Sequence, residues 1–157
     1  HKIDVLAHHE EKPYIEGEKP FIKLTPELLA EMFESLSREE RLLAEEMFMQ
    51  SLRFNVQQGV DDGVVLPYCG GITVIHTPGH SPGHICLYLN RSKILIAGDA
   101  LNIADGRLVG PNPVYTEDME LAMKSIGKLS GYDIETVICY HGGVFRGDVN
   151  HRLQELV

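Results

Sequence analysis

The segment VIHTPGHSPGH (74–84) contains three histidines at spacings of four, His76, His80 and His84. On a helix this spacing places imidazoles on one face, where two of them can bind one zinc ion. Two prolines without a backbone N–H and two glycines in the same segment disfavour a helix. Apolar and β-branched residues flank the segment, so the pattern predicts a strand, a rigid turn and a second strand. The histidines are therefore expected on a stiff loop at a sheet end, a common place for catalytic or metal-binding side chains.

Three polar residues directly follow apolar stretches: His80 after ITVIHTPG, Asp99 after KILIAG, and His141 after IETVICY. Each alone is ordinary, since a histidine at a strand end is typical of a surface and an aspartate after glycine is typical of a turn. Strand ends that face the same rim would bring the three together. Imidazole with carboxylate suits zinc, manganese or iron(II), whereas calcium requires more oxygen ligands.

Residues 25–55 are predicted to form two helices that pack as one amphipathic hairpin. Thr25 has the character of an N-cap followed by Pro26, and the sequence SREE that begins at Ser37 is a capping box. The apolar residues of the hairpin are predicted to fill the core rather than to contact a cofactor. Those residues are Phe33, Met47, Phe48 and Met49.

From Asn55 onward the pattern changes to short strands separated by Gly, Pro, Asn and Asp, which predicts a β-meander. Residues 102–115 are predicted to be a loop that leads to a third helix, capped by Thr116 and closed by Gly131. A last strand is predicted over 134–140, and the C-terminal residues DVNHRLQELV predict a final helix.

The N-terminal segment is predicted to be a strand at 3–7 followed by a polar loop. The domain organisation expected from these elements is one partial domain over 1–157. It comprises a strand and loop at 1–24, the helical hairpin at 25–55, and the β-meander with flanking helices at 56–157.

Charge and cysteine content restrict the partners and the compartment. Fourteen basic against 23 acidic residues give a net charge of −9, without a Lys/Arg cluster, which argues against nucleic acid and against an anionic membrane surface. A small-molecule substrate is therefore expected. No apolar run reaches the ~20 residues of a membrane span. Cys69, Cys86 and Cys139 show no C-x-x-C pairing, so they are interpreted as reduced, buried thiols of a cytoplasmic protein.

The stretches TPGHSPGHICLYL, ILIAGDAL and VICYHGG resemble the second half of the metallo-β-lactamase superfamily, in its order and approximate separations. The resemblance implies an α/β fold, namely the C-terminal part of the four-layer αβ/βα sandwich. It implies that His80 binds a first metal ion, that Asp99 is the catalytic carboxylate bridging two ions, and that His141 binds the second. It further implies that His84 steadies the loop through a hydrogen bond or is itself a ligand.

The superfamily's other motif, H-x-H-x-D-H, is absent from this sequence. The pair His8-His9 is no substitute, because adjacent residues of an extended chain point to opposite sides. The sequence is therefore expected to be the C-terminal part of a larger enzyme, and the glyoxalase-II-like thioesterase branch is favoured by GHICLYL and GDAL.

The function implied by the resemblance is metal-dependent hydrolysis of an ester, thioester, lactone, lactam or phosphodiester, with two zinc ions activating water. Iron or manganese are alternative metals. Two other classes stay open: a mononuclear iron oxygenase of the same fold, such as a persulfide dioxygenase, and a metal-free binding module. The isolated chain is expected to be inactive and to form a homo-oligomer that covers an exposed sheet face.

Overall fold

A six-stranded sheet organises the chain, which is described over residues 4–157 by a computed structural model. The strands within these residues are β1 (Leu6–His8), β2 (Gln58–Val60), β3 (Val65–Leu66), β4 (Ile72–His76), β5 (Ile85–Leu89), β6 (Ile94–Gly98), β7 (Asn102–Ala104), β8 (Arg107–Val109), β9 (Thr136–Cys139) and β10 (Gly143–Arg146). The helices within them are α1 (Lys12–Ile15), α2 (Pro26–Met32), α3 (Arg38–Ser51), α4 (Met119–Leu129) and α5 (Val149–Leu156).

The predicted meander is confirmed, since β3, β4, β5 and β6 pair antiparallel in chain order. The sheet order is β10-β9-β6-β5-β4-β3, and β9 pairs parallel with β6. A parallel pair requires a crossover connection, which contains α4 here. As a result, the C-terminal ends of β6 and β9 meet at the same edge of the sheet.

One face of the sheet forms the core. Side chains of β5, β6 and β9 alternate between buried and half-buried positions, and the buried set packs against α4 and α5. The central residues of this core are Cys86, Tyr88, Leu95, Ala97, Ile126, Leu129, Val137 and Leu153. The opposite face carries apolar side chains that stay half-buried, among them Ile85, Leu87, Ile96 and Ile138. The mixed α/β class expected from the sequence is therefore confirmed.

The caps of the helical hairpin are confirmed, but its predicted burial is wrong. Thr25 accepts a hydrogen bond from the Leu28 amide, and Ser37 and Glu40 form a reciprocal capping box. In both helices, which lie wholly within the described residues, no side chain is buried. Met47 is 63% exposed, for instance. The rings of the remaining predicted core pair, Phe33 and Phe48, meet edge-on at 5.9 Å and stay half-buried, as does Met49.

The predicted loop over 102–115 instead contains the hairpin β7–β8. The predicted cap of the third helix is also wrong: Asp118 is the N-cap and accepts from the Leu121 amide. Thr116 lies three residues before Met119, where the helix begins, and its hydroxyl donates to the carbonyl of Asn112 at 2.7 Å instead. The last strand and the C-terminal helix are confirmed as β9 and α5, and β10 was not predicted.

The N-terminal strand is present as β1, which pairs parallel with β2, whereas Ile3 lies outside the described residues. The polar loop that follows contains the single helical turn of α1. All three cysteines, which lie in the described part of the chain, are free. Cys86 and Cys139 are buried as predicted, but Cys69 is exposed because it occupies a tight turn with a φ of 52°. Among residues 4–157, no helix has the length and apolar character that a membrane crossing requires.

Candidate metal centre

The histidine loop, residues 77–84, is held at both ends and along its length. The Thr77 amide donates to the His84 carbonyl at 2.9 Å, which extends the β4–β5 pairing into the loop. On the side of α4, the Ser125 hydroxyl donates to the Pro78 carbonyl at 2.7 Å and the Asp118 amide donates to the Gly79 carbonyl at 2.9 Å. The rigid turn that the sequence predicts is therefore confirmed, and α4 fixes it to the sheet.

Asp99 follows a β-bulge at the end of β6. The register between β6 and β9 shifts between Ile96 and Gly98, and Gly98 has a φ of 56°. A Cβ at Gly98 would lie 2.7 Å from Nε2 of His84, so glycine is required both by the backbone and by the close approach of this ring. The bulge turns the chain at this point and directs Asp99 to the edge of the sheet.

His141 reaches the same edge at the end of β9. The Tyr140 amide donates to the Gly98 carbonyl at 3.1 Å, and the Ile103 amide donates to the His141 carbonyl at 3.3 Å. These bonds join β9 to the bulge of β6 and to β7. Parallel pairing of β6 and β9 thus explains why two residues 42 positions apart in the chain meet.

The structure brings together His80, Asp99 and His141. Nε2 of His80 lies 3.5 Å from Oδ2 of Asp99, and Nε2 of His141 lies 3.3 Å from Oδ1 of Asp99. Each carboxylate oxygen therefore faces a different imidazole. The side chains of His80 and Asp99 are 13% and 23% exposed, whereas that of His141 is 78% exposed, so the site opens to solvent on the side of His141.

His84 lies behind this group, and both of its ring nitrogens are occupied. The Asp99 amide donates to Nε2 at 3.2 Å, so the ring proton is on Nδ1 and donates to the Thr77 hydroxyl at 2.8 Å. Burial, reinforced by the neighbouring His80, lowers the pKa of His84 to about 4. His84 is therefore a neutral support for the backbone of Asp99.

Two residues that sequence reasoning did not identify also contact the site. The ammonium group of Lys23 contacts Nε2 of His80, and burial lowers the pKa of both groups. The carboxylate of Glu11 accepts hydrogen bonds from the Ser81 hydroxyl at 2.9 Å and from the Gly83 amide at 2.8 Å. These contacts join residues 57, 70 and 72 positions apart, and no local sequence pattern signals them.

A cleft of about 660 Å³ lies beside the site. His80, His84 and Asp99 line one side of it, together with Lys23. The remaining walls are largely apolar and come from the N-terminal segment and from the half-buried face of β5 and β6. These wall residues include Leu6, Ile15, Phe21, Ile22, Leu24, Ile85, Leu87 and Ile96.

The donor set fits divalent transition metals. Two imidazoles and one carboxylate with two free oxygens are borderline ligands of the kind that zinc, iron(II) and manganese accept, and the set has too few oxygens for calcium. The arrangement gives each carboxylate oxygen one imidazole partner, which suits two ions sharing Asp99 better than one ion bound by all three residues.

The fold and this donor set define a class of α/β proteins that hold metal ions at one edge of a sheet. The chain belongs to the metallo-beta-lactamase superfamily, which it matches over residues 2–141. The likeness that the sequence motifs indicate is thereby confirmed.

Two curated relatives show the range of the family. The chain is 32% identical over 154 residues to the probable metallo-hydrolase YflN of Bacillus subtilis, covering 89% of this chain and 55% of that protein. It is 29% identical over 89 residues to an atrochrysone carboxyl ACP thioesterase of Emericella nidulans, covering 56% of this chain and 27% of that protein. The chain thus spans about half the length of YflN.

Solved structures share the fold. A metallo-beta-lactamase family protein of Thermus thermophilus, TTHA1429, superposes with a TM-score of 0.62 at 24% identity, over 97% of this chain and 50% of that one. TTHA1623 in a di-iron-bound form superposes with a TM-score of 0.58 at 23% identity, over 92% of this chain and 60% of that one. At these identities the likeness concerns the fold alone.

Proposed function

We propose that this chain supplies His80, Asp99 and His141 to the centre of a metal-dependent hydrolase, and that Asp99 bridges two ions there. The observation that carries the proposal is the division of the Asp99 carboxylate, whose two oxygens each face a separate imidazole at 3.3 and 3.5 Å. Membership of a superfamily that includes a probable metallo-hydrolase supports the same reaction class.

Zinc is the proposed metal, with iron or manganese as alternatives that the same donors accept. Bound ions of this kind supply Lewis acidity that polarises a carbonyl or phosphoryl group and activates water for attack. Asp99 would hold these ions, and His84 fixes the backbone of Asp99 because its Nε2 accepts a 3.2 Å hydrogen bond from the Asp99 amide.

The cleft determines what reaches the site. Its apolar walls fit a substrate with an apolar body, and Lys23 places a positive charge beside His80, where it can pair with an anionic group of the substrate. A thioester with an apolar acyl group and a phosphate on its thiol part satisfies both requirements. The similarity to an ACP thioesterase supports this choice within the esters, lactones, lactams and phosphodiesters that the reaction class allows.

A mononuclear iron oxygenase requires all protein ligands to converge on one ion. The two imidazoles here lie beside different oxygens of Asp99, which favours the hydrolase with two ions. A metal-free binding module is the third functional class, and it predicts that no ion binds at Asp99. Metal analysis of the site at Asp99 distinguishes the three classes, because they require two ions, one iron or none there.

The isolated 157-residue chain is proposed to bind zinc weakly and to turn over no substrate. It offers each ion one imidazole and a shared carboxylate, whereas a catalytic zinc ion normally has three protein ligands. Half of a full ligand set corresponds to a binding free energy on the order of 5–8 kcal/mol, hence to a Kd in roughly the micromolar to millimolar range.

Equilibrium dialysis of the chain with zinc, followed by metal analysis, tests the proposal. We expect Asp99→Asn to keep the fold, because the change is nearly isosteric, and to lose the zinc bound between His80 and His141, because an amide bridges cations poorly. Asp133→Asn is the matched control, since this exposed carboxylate pairs with Lys93 at 2.7 Å, far from the site at the opposite end of β9. Equal zinc binding by both variants would contradict the role of Asp99.

A further inference from the structure

A second group of candidate ligands lies outside the centre described above. His8 at the end of β1, Glu10 just after it, and His76 at the end of β4 place one ligand atom each within 4.8 Å of one another. None of the three belongs to the group around Asp99. The sequence analysis assigned no role to His76, and it excluded the pair His8-His9 because adjacent residues of an extended chain point to opposite sides. The contact between His8 and His76 was not predicted.

The two imidazoles are already arranged in close contact. The rings of His8 and His76 stack with centroids 3.7 Å apart and planes inclined by 14°. His8 is buried, with 7% of its surface exposed, while His76 is half-buried and Glu10 is exposed. His9, the neighbour of His8, instead points outward toward Asp61, with 3.7 Å between Nε2 and the carboxylate. A metal ion lies in the plane of each imidazole that binds it, so one of the two stacked rings must rotate about its Cβ–Cγ bond before both nitrogen donors point to one ion.

The hydrogen bonds leave a free nitrogen lone pair on His76, whereas His8 must give up one hydrogen bond to bind a metal ion. Nε2 of His76 lies 2.9 Å from the Pro82 carbonyl, which only accepts, so this nitrogen carries the proton and Nδ1 has a free lone pair. A metal-bound histidine characteristically donates its other N–H to a carbonyl in this way. Nδ1 of His8 accepts from the Glu10 amide at 3.3 Å, so coordination through either nitrogen of His8 costs one long hydrogen bond.

The surrounding charge favours a cation. Asp61 lies beside His9, and Asp62 accepts from the His76 amide at 2.7 Å, so two further carboxylates border the group. Among residues 4–157, Lys128 is close to these carboxylates: it lies 3.4 Å from the Asp62 carboxylate and donates to the His76 carbonyl at 2.7 Å. Glu10, Asp61 and Asp62 thus place three carboxylates beside this one ammonium group in the described part of the chain.

From this geometry we infer that His8, Glu10 and His76 form a second site for one divalent transition metal ion such as zinc, distinct from the centre at Asp99. Two imidazoles and one carboxylate on one side of an ion leave its other positions to water. A metal ion bound here would join β1 to the end of β4. Because His76 donates to the Pro82 carbonyl, the ion would also restrain the histidine loop that carries His80. The site therefore serves to stabilise the loop that presents the other centre.

The test is a zinc titration of the chain labelled with ¹⁵N at its imidazole rings, in the Asp99→Asn background that removes the first centre. We expect the ring signals of His8 and His76 to shift together, while that of His151, exposed on α5 beside Glu155, stays unchanged. The result does not depend on the proposed hydrolase, because loss of the first centre leaves this signal intact. Unchanged His8 and His76 signals at millimolar zinc would overturn the inference.

A charge-matched pair of variants separates coordination from general attraction. Glu10→Gln removes a ligand atom from an exposed position and is expected to weaken zinc binding at this site at least about tenfold. Asp61→Asn removes the same charge from the same surface but no ligand atom, and is expected to weaken it only about twofold. Equal effects of the two variants would show that zinc is attracted by charge alone, and would also overturn the inference.

Discussion

Asp99 owes its orientation to the residue that precedes it. Gly98 combines a left-handed backbone with a contact distance that only a hydrogen can occupy beside His84. The same ring accepts a hydrogen bond from the Asp99 amide. The bulge, the His84 imidazole and the Asp99 carboxylate are therefore fixed to one another. A defect at Gly98 therefore affects the metal ligand directly.

We predict that Gly98→Ala destabilises the chain and weakens zinc binding together. Alanine in a left-handed conformation costs about 1 kcal/mol, and displacement of the His84 ring adds a cost of similar size. Gly106→Ala is the control, because Gly106 has a φ of 72° but no atom within 4 Å of the position that a methyl group would take. Urea unfolding should show a larger loss for Gly98→Ala than for Gly106→Ala, and equal losses would contradict the contact with His84.

The pKa of His84 predicts a pH dependence of stability in the metal-free chain. Burial lowers its pKa to about 4 in the folded state, from 6.5. Between pH 6.5 and about pH 4, His84 is protonated in the unfolded chain but neutral in the folded chain. The contribution of neutral His84 to the free energy of unfolding is therefore complete above pH 6.5 and is lost as the pH falls toward 4. The loss amounts to at most about 3 kcal/mol. Urea unfolding at about pH 7 and about pH 4.5 should give a smaller difference for His84→Gln than for the parent chain, and an equal difference would contradict it.

The residue types and the local sequence pattern explain which parts of the site could be predicted. His80, Asp99 and His141 each follow an apolar strand, and a strand end is readable from alternation and turn residues. Lys23 and Glu11 were not predictable, because each reaches the site across more than 50 residues from segments without a pattern of their own. His76 was missed for the same reason, since its partner His8 belongs to another strand.

At the scale of elements, the histidine loop depends on one carboxylate from outside the sheet. Glu11 accepts two hydrogen bonds from the loop, and its backbone packs so closely that a Cβ at Gly83 would lie 2.3 Å from the Glu11 amide nitrogen. The N-terminal segment and the loop are therefore fixed to each other just before α1.

Removal of this contact is predicted to loosen the loop. Glu11→Ala leaves the Gly83 amide and the Ser81 hydroxyl without their partner, which should cost about 1–3 kcal/mol. Glu18→Ala is the control, since Glu18 is exposed and outside the loop contacts. Hydrogen exchange should become faster at the Gly83 amide in Glu11→Ala alone. Unchanged exchange at this amide would show that Glu11 does not hold the loop.

The helices and strands also show which features a local sequence pattern cannot predict. Caps at Thr25 and Ser37 were predictable because capping involves residues three positions apart. Burial of the hairpin was not, because an apolar stripe shows which face could pack but not whether another element covers it. The hairpin β7–β8 was likewise not predicted, because the Gly, Asn and Pro residues of this segment favoured a loop.

At the scale of the whole molecule, apolar surface is concentrated in two places. The sheet face opposite α4 and α5 is half-buried along β5 and β6, and the hairpin α2–α3 exposes Leu42, Leu43 and Met47. Exposed apolar surface of this extent favours association. We therefore keep the expectation that the isolated chain forms a homo-oligomer.

We predict that the oligomer of the isolated chain uses the half-buried sheet face. Leu87→Lys places a charge on that face and should shift sedimentation toward the monomer, because an unpaired charge is costly to bury. Leu121→Lys is the control, since Leu121 is 38% exposed and lies on α4, which packs against the other face of the sheet. A monomeric parent chain, or equal effects of the two variants, would show that this face is not the interface.

Anomalous diffraction from crystals of the chain soaked in zinc tests whether Asp99 bridges two metal ions between His80 and His141. We expect one zinc ion at about 2.0–2.2 Å from Nε2 of His80 and one oxygen of Asp99. We expect a second ion at the same distances from Nε2 of His141 and the other oxygen. A single ion bound by all three residues, or no anomalous peak at Asp99 at millimolar zinc, would contradict it.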